Sequence, residues 1–132
     1  MKLILFIHQD SAETGITLKK IIDQKFNETQ IHTLHTFNTF KARLKQLYNH
    51  NNEIFILLAD CKYRLTELTS LIDLMESKRI ILILPDDSKS STLMAHQFFP
   101  RYFTYINDTY ADLCAVITQM TIKMKLNTNE HR

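Results

Sequence analysis

A single glycine, Gly15, stands in a chain of 132 residues, and that scarcity excludes a large part of nucleotide-binding chemistry. Dinucleotide fingerprints and Walker loops need several glycines, so that backbone amides can approach a phosphate. The segment SAETGIT (11–17) has the faint outline of a phosphate loop, but one glycine and the acidic Glu13 argue against a phosphate or a flavin there. Cysteine is equally sparse: Cys61 and Cys114 have neither CxxC nor zinc spacing and read as two reduced core thiols. No apolar run approaches the about 18 residues of a membrane span. The opening MKLILFIHQD has an apolar run of five residues before His8, too short for the core of a signal peptide. A soluble, cytoplasmic protein is expected. Net charge is +2, with Lys and Arg spread along the chain, so neither direct nucleic-acid binding nor a membrane partner is expected.

Hydrophobic residues make up 45% and charged residues 23% of the chain, which is enough for one globular domain with a core of its own. Five short apolar runs recur: KLILFI (2–7), QIHTLHTF (30–37), EIFILLA (53–59), RIILILP (79–85) and RYFTYI (101–106). Three are nearly continuous in apolar character, as strands covered on both faces must be. Between them lie helical periods. Leu18, Ile21, Ile22 and Phe26 share one side of 11–26, and Phe40, Leu44, Leu47 and Tyr48 one side of 39–49. Leu65, Leu68, Ile72 and Met75 do the same in 65–77, as do Leu113, Val116, Ile117, Met120 and Met124 in 110–125. The helix at about 89–98 rests on Leu93, Met94, Phe98 and Phe99. Asp10 with Glu13, and Thr109 with Asp112, have capping-box spacing. The order βα, five times over, predicts an α/β fold: a (βα)5 doubly wound parallel five-stranded sheet, flavodoxin-like, strand order 2-1-3-4-5. One domain is expected over 1–126, followed by a polar tail over 127–132.

Ligands of such sheets gather at the carboxyl ends of the strands. His8, Gln9 and Asp10 arrive there, as do Ala59 and Asp60, then Pro85, Asp86 and Asp87, and finally Asn107 and Asp108. The rim is acidic. Its functional reading makes Asp60 a phosphoacceptor and makes Asp10 and Asp60 ligands of Mg²⁺. The plainer reading makes Asp10, then Asp86, Asp87 or Ser88, then Asp108 or Thr109 helix caps, with Asp60 marking where a strand meets water.

The layout and the stretch IFILLAD (54–60) resemble the receiver domain of two-component response regulators over essentially the whole chain. That resemblance implies an acidic pair after the first strand, a phosphoacceptor Asp after the third, Ser or Thr after the fourth, and Lys before Pro after the fifth. The pair falls on His8 and Gln9, or on Gln9 and Asp10, so at most one acid is retained. The acceptor falls on Asp60, followed by CKYRLTEL in place of a Pro- and Gly-containing loop. The hydroxyl position falls on Leu84 or Pro85, and the Lys position within Ile106, Asn107 and Asp108. Without that Lys and hydroxyl, a phosphoryl group has little through which to signal. The chain is therefore similar to a degenerate pseudo-receiver. FTYINDTYADLCAVI (103–117) is also similar to the receiver-like N-terminal wing of bacterial basic amino-acid decarboxylases, which serves assembly.

His32 and His35 would share a helix face, but on a strand they point apart. With His8, His50, His96 and His131 they make no metal set. The serines of DDSKSST (86–92) have no histidine tied to them and read as loop and cap. Phe98, Phe99, Tyr102, Phe103, Tyr105 and Tyr110 form an aromatic cluster around the fifth strand, an edge strand in this topology. Tyr102, Tyr105, Asp108 and Tyr110 are the candidate partner-binding residues, with Tyr102 and Tyr110 as the exposed contacts. The expectation is a non-enzymatic regulatory protein-interaction module, acting without phosphorylation or a cofactor. Its partner is another protein or a second copy, met through the face of the fourth helix, fifth strand and fifth helix. The alternatives are a phosphorylatable receiver using Asp60 with Mg²⁺, and an assembly wing of a larger decarboxylase-type enzyme.

Overall fold

Five strands form one parallel sheet in the order β2-β1-β3-β4-β5. They are β1 (Lys2–Phe6), β2 (Gln30–Leu34), β3 (Glu53–Leu58), β4 (Arg79–Leu84) and β5 (Tyr102–Tyr105). The structure, a computed structural model, describes residues 1–46 and 52–130. Leu47, Tyr48, His50 and His131 lie outside the described residues. Strands β3 and β4 are buried almost throughout, which matches their unbroken apolar runs. Strand β2, at an edge, leaves Gln30 and His32 exposed. The fold is α/β and flavodoxin-like, as the sequence pattern predicts.

Six helices cover the sheet among the described residues: α1 (Ala12–Lys25), α2 (Phe37–Leu44), α3 (Lys62–Thr69), α4 (Ile72–Met75), α5 (Lys89–His96) and α6 (Ala111–Glu130). Alternation along the strands splits the core in two. Leu3, Leu5, Ile54, Ile56, Ile81 and Ile83 meet Leu18 and Ile22 of α1 and Leu113, Ile117 and Met124 of α6. On the other face Ile4, Phe6, Phe55, Leu57 and Leu82 meet Phe40 of α2, Leu65 and Leu68 of α3, Met75 of α4 and Ala95 of α5. Phe6 and Phe40 stack with centroids 4.9 Å apart, an arrangement that adds about 0.5–1.5 kcal/mol to simple burial. The single glycine is a packing glycine. A Cβ on Gly15 would lie 2.5 Å from Ile7 Cγ2, so α1 can approach β1 this closely only without a side chain there.

Several boundaries differ from the periodicity: the helix expected over 39–49 begins at Phe37 and closes at Leu44, with Lys45 as its C-cap. The helix expected over 65–77 is two helices, because the Thr69 and Ser70 hydroxyls donate to the carbonyls of Thr66 and Glu67, and Leu71 N–H closes a tighter turn on Leu68. Such local bonds compete with the helical ladder. β2 stops at Leu34 because Thr36 is the N-cap of α2, its Oγ1 accepting from Thr39 N–H at 3.1 Å. The last helix runs past 125 to Glu130.

Candidate functional site

In the order 2-1-3, successive connections leave β1 on opposite sides, so the crevice of this fold opens at the carboxyl ends of β1 and β3. The chain leaves β1 through Ile7, whose N–H donates to Leu34 O at 3.0 Å, and Gln9 N–H then donates to His35 O at 2.9 Å. These bonds carry β1 past its last ladder residue and set the level at which Gln9, Asp10 and Ser11 make one 3-10 turn. His8 Nδ1 accepts from Asp10 N–H at 3.1 Å. That bond needs an unprotonated Nδ1, so the His8 contact with the Asp10 carboxylate at 3.7 Å is not an ion pair in this state. His8 is the N-cap of that turn, and Asp10 does not cap α1, whose N-cap is Ser11 without a side-chain bond.

Ser11 serves Asp60 instead. Its hydroxyl, 2% exposed, donates to Asp60 Oδ1 at 2.7 Å, and Asp60 is half-buried at the end of β3. The register sets what stands beside it. Leu58 pairs with Ile83, and Ile83 with Thr104; two residues further on, Asp60 is level with Pro85 and Ile106. Ala59 N–H to Ile83 O at 2.8 Å and Ile106 N–H to Leu84 O at 3.0 Å hold that level. Neither neighbouring position supplies a hydroxyl or an ammonium group.

A cation does enter the crevice from α3. Arg64 is 6% exposed, with Nη1 donating to Glu67 and Nη2 lying 4.0 Å from Asp10 Oδ2. Its Nε is buried without a hydrogen-bond partner, and its guanidinium carbon lies 5.7 Å from the Tyr63 ring centroid. Sequence reasoning passed over Arg64 because a basic residue on a helix usually faces water. The available signal was its place four residues before Leu68, on the inward side of α3.

The site fits Mg²⁺ poorly. Asp10 turns most of its side chain to solvent, 77% exposed, with the Arg64 guanidinium 4.0 Å from its carboxylate. One oxygen of Asp60 is taken by Ser11. No group of three or more His, Cys, Asp or Glu side chains that could hold a metal ion occurs among the described residues. His32 is exposed and His35 Nδ1 pairs with Ile7 O at 3.0 Å.

The other acids of the rim are committed to turns. Asp86 Oδ1 accepts from Ser88 N–H at 3.0 Å and Ser91 Oγ at 2.8 Å. Those two serines, with a smaller contribution from the Lys62 charge, hold its carboxyl at about 2. Ser88 is the cap of α5, accepting from Ser91 N–H. Asp108 accepts from Thr104 Oγ1 and from Thr109 N–H, which lowers its pKa, Thr104 contributing most. DDSKSST is therefore loop and cap chemistry.

The partner-binding candidates divide. Tyr102 and Tyr105 are half-buried on edge strand β5, and burial together with the nearby Asp108 charge raises the Tyr102 pKa. Tyr110 is not the exposed contact that the sequence suggests. It is 1% exposed, because a left-handed backbone (φ 66°) turns the chain into α6 and swings the ring into the core with Leu113 and Ile117. Its hydroxyl donates to Ile106 O at 3.3 Å, and burial raises its pKa. Of the two free thiols only Cys114 is buried; Cys61 is exposed, because the N-cap position puts it outside the helix packing.

Compared with known proteins, the chain matches no family model, no curated protein and no solved structure. Among the described residues no helix is long and apolar enough to cross a membrane.

Proposed function

We propose that this protein is a cytoplasmic, receiver-like interaction module that works without phosphorylation and without catalysis. The observation that carries the reading is Arg64. A receiver-type crevice needs a mobile divalent cation between its acids, to neutralise an incoming phosphoryl group. In this crevice a buried guanidinium is already paired with Glu67 and directed at Asp10. A metal ion at Asp10 would have to share that carboxylate with a positive charge already tethered beside it. Pro85 and Ile106 beside Asp60 offer no hydroxyl or ammonium group to relay a modification. The free thiols Cys61 and Cys114 suit a reducing compartment.

The reading leaves function to the surface. Strand β5 is one edge of the sheet, with half-buried Tyr102 and Tyr105 on it, and Leu93 of the preceding helix α5 is 57% exposed. Aromatic residues with polar tips and a free strand edge are common binding elements. Beryllofluoride, an acyl-phosphate mimic, with Mg²⁺ tests the proposal in an amide chemical-shift titration. Amides of Ser11, Asp60 and β5 should hold their positions at millimolar reagent. Saturable shifts at Ser11 and Asp60 that spread to β5 would return the protein to the phosphorylatable class.

A further inference from the structure

The structure has a second feature that folding alone does not explain, at the amino ends of β4 and β5. Phe99, just past the end of α5, is 88% exposed and has a left-handed backbone with φ 48°. Helix ends of this kind usually take glycine, since a side chain there costs about 1–2 kcal/mol. Here the chain sets a phenyl ring at that position and leaves it in water, while its neighbour Phe98 fills the core.

The ring stands between two depressions. One, of about 590 Å³, is walled by Ile72, Met75 and Phe98, with Asp73, Glu76 and Arg101 around them. The other, of about 700 Å³, lies against His96, Pro100 and Tyr102. Phe99 and Arg101 line both. Either volume is ample for a phenyl ring, since an apolar cavity of about 150 Å³ holds benzene.

We infer that this corner is a self-association surface whose occupant is a second copy of the chain, Phe99 of each copy seating in the depression beside Phe99 of the other. The inference rests on the interaction-module reading and names its partner. Two observations select a second copy. A knob adjoining its own hole is self-complementary, which is what a twofold contact requires. The rim charges are self-complementary too. Asp73 and Glu76 are exposed on the α4 side and Arg101 is exposed on the β5 side, while Lys78, the other cation of the lining, is half-buried and donates to Leu74 O, so a twofold can lay the exposed acids of one copy on the guanidinium of the other. A contact anchored by one ring per copy makes the dimer a weak, concentration-dependent one.

Sedimentation velocity of the whole chain, from low micromolar to near-millimolar, tests it. The parent should shift from monomer to dimer with concentration. Phe99→Gly suits the backbone at this position, so it should keep or raise the melting temperature while weakening the dimer roughly 30-fold or more, as loss of an interface anchor does. Arg101→Glu and Asp73→Arg should each self-associate less than the parent, and their equimolar mixture should recover a dimer. A parent that stays monomeric throughout, or a dimer untouched by Phe99→Gly, would overturn the inference. The beryllofluoride titration would stand unaffected by either result, so the failure of this inference and of the reading beneath it are told apart.

Discussion

Arg64 is the residue on which the functional reading turns. Its neighbours Asp10 and Glu67 are unremarkable acids until a guanidinium is buried beside them. Asp60 was legible from sequence because an apolar run of strand length ends in it, and strand ends in this fold meet the crevice. Arg64 was not, because helical period alone does not say whether a long basic side chain runs inward or snorkels to water. Tyr110 was misread for a related reason: a left-handed backbone at a tyrosine redirects the ring, and no propensity announces it. Asp86 gives a pH signature. With its folded pKa at about 2 against an ordinary 3.8, the unfolded chain binds more protons between those values, so stability rises with pH across that window. The contribution is complete above the unfolded value and is lost as pH falls through the folded one. Asp108 acts in the same direction. Urea midpoints taken from pH 5 down to pH 2 should therefore fall less steeply for Asp86→Asn than for the parent; an identical slope would mean that the Ser88 and Ser91 bonds are not made in solution.

At the scale of elements, the strands were the clearest part of the sequence. Past their first residues, Glu53 and Arg79, strands β3 and β4 are apolar throughout and needed cover on both faces, which calls for helices between parallel strands. Helix ends were less clear, since the break between α3 and α4 depends on the Thr69 and Ser70 hydroxyls bonding backward. The contact of α1 with β1 depends on one atom that is missing. Gly15→Val would drive a branched side chain into Ile7 and Leu58, and overpacking of this kind costs about 1–3 kcal/mol. A chemical-denaturation curve should show that loss with an unchanged m-value, whereas an unchanged midpoint would mean that α1 rides further from the sheet than described.

For the whole molecule, the edges divide the work. At the carboxyl edge Ser11 bonds Asp60, Arg64 lies beside Asp10 and Glu67, and Pro85 and Ile106 bring no hydroxyl or ammonium group; in the proposed reading this crevice does not accept a phosphoryl group. The free edge strand and the Phe99 corner carry the features that a partner would read. Intact-mass measurement after incubation with a small phosphodonor and Mg²⁺, on the parent beside Asp60→Asn, tests this division most directly. Both proteins should keep their original mass. A gain of one phosphoryl group in the parent alone would contradict the account and make Asp60 a working acceptor despite Arg64.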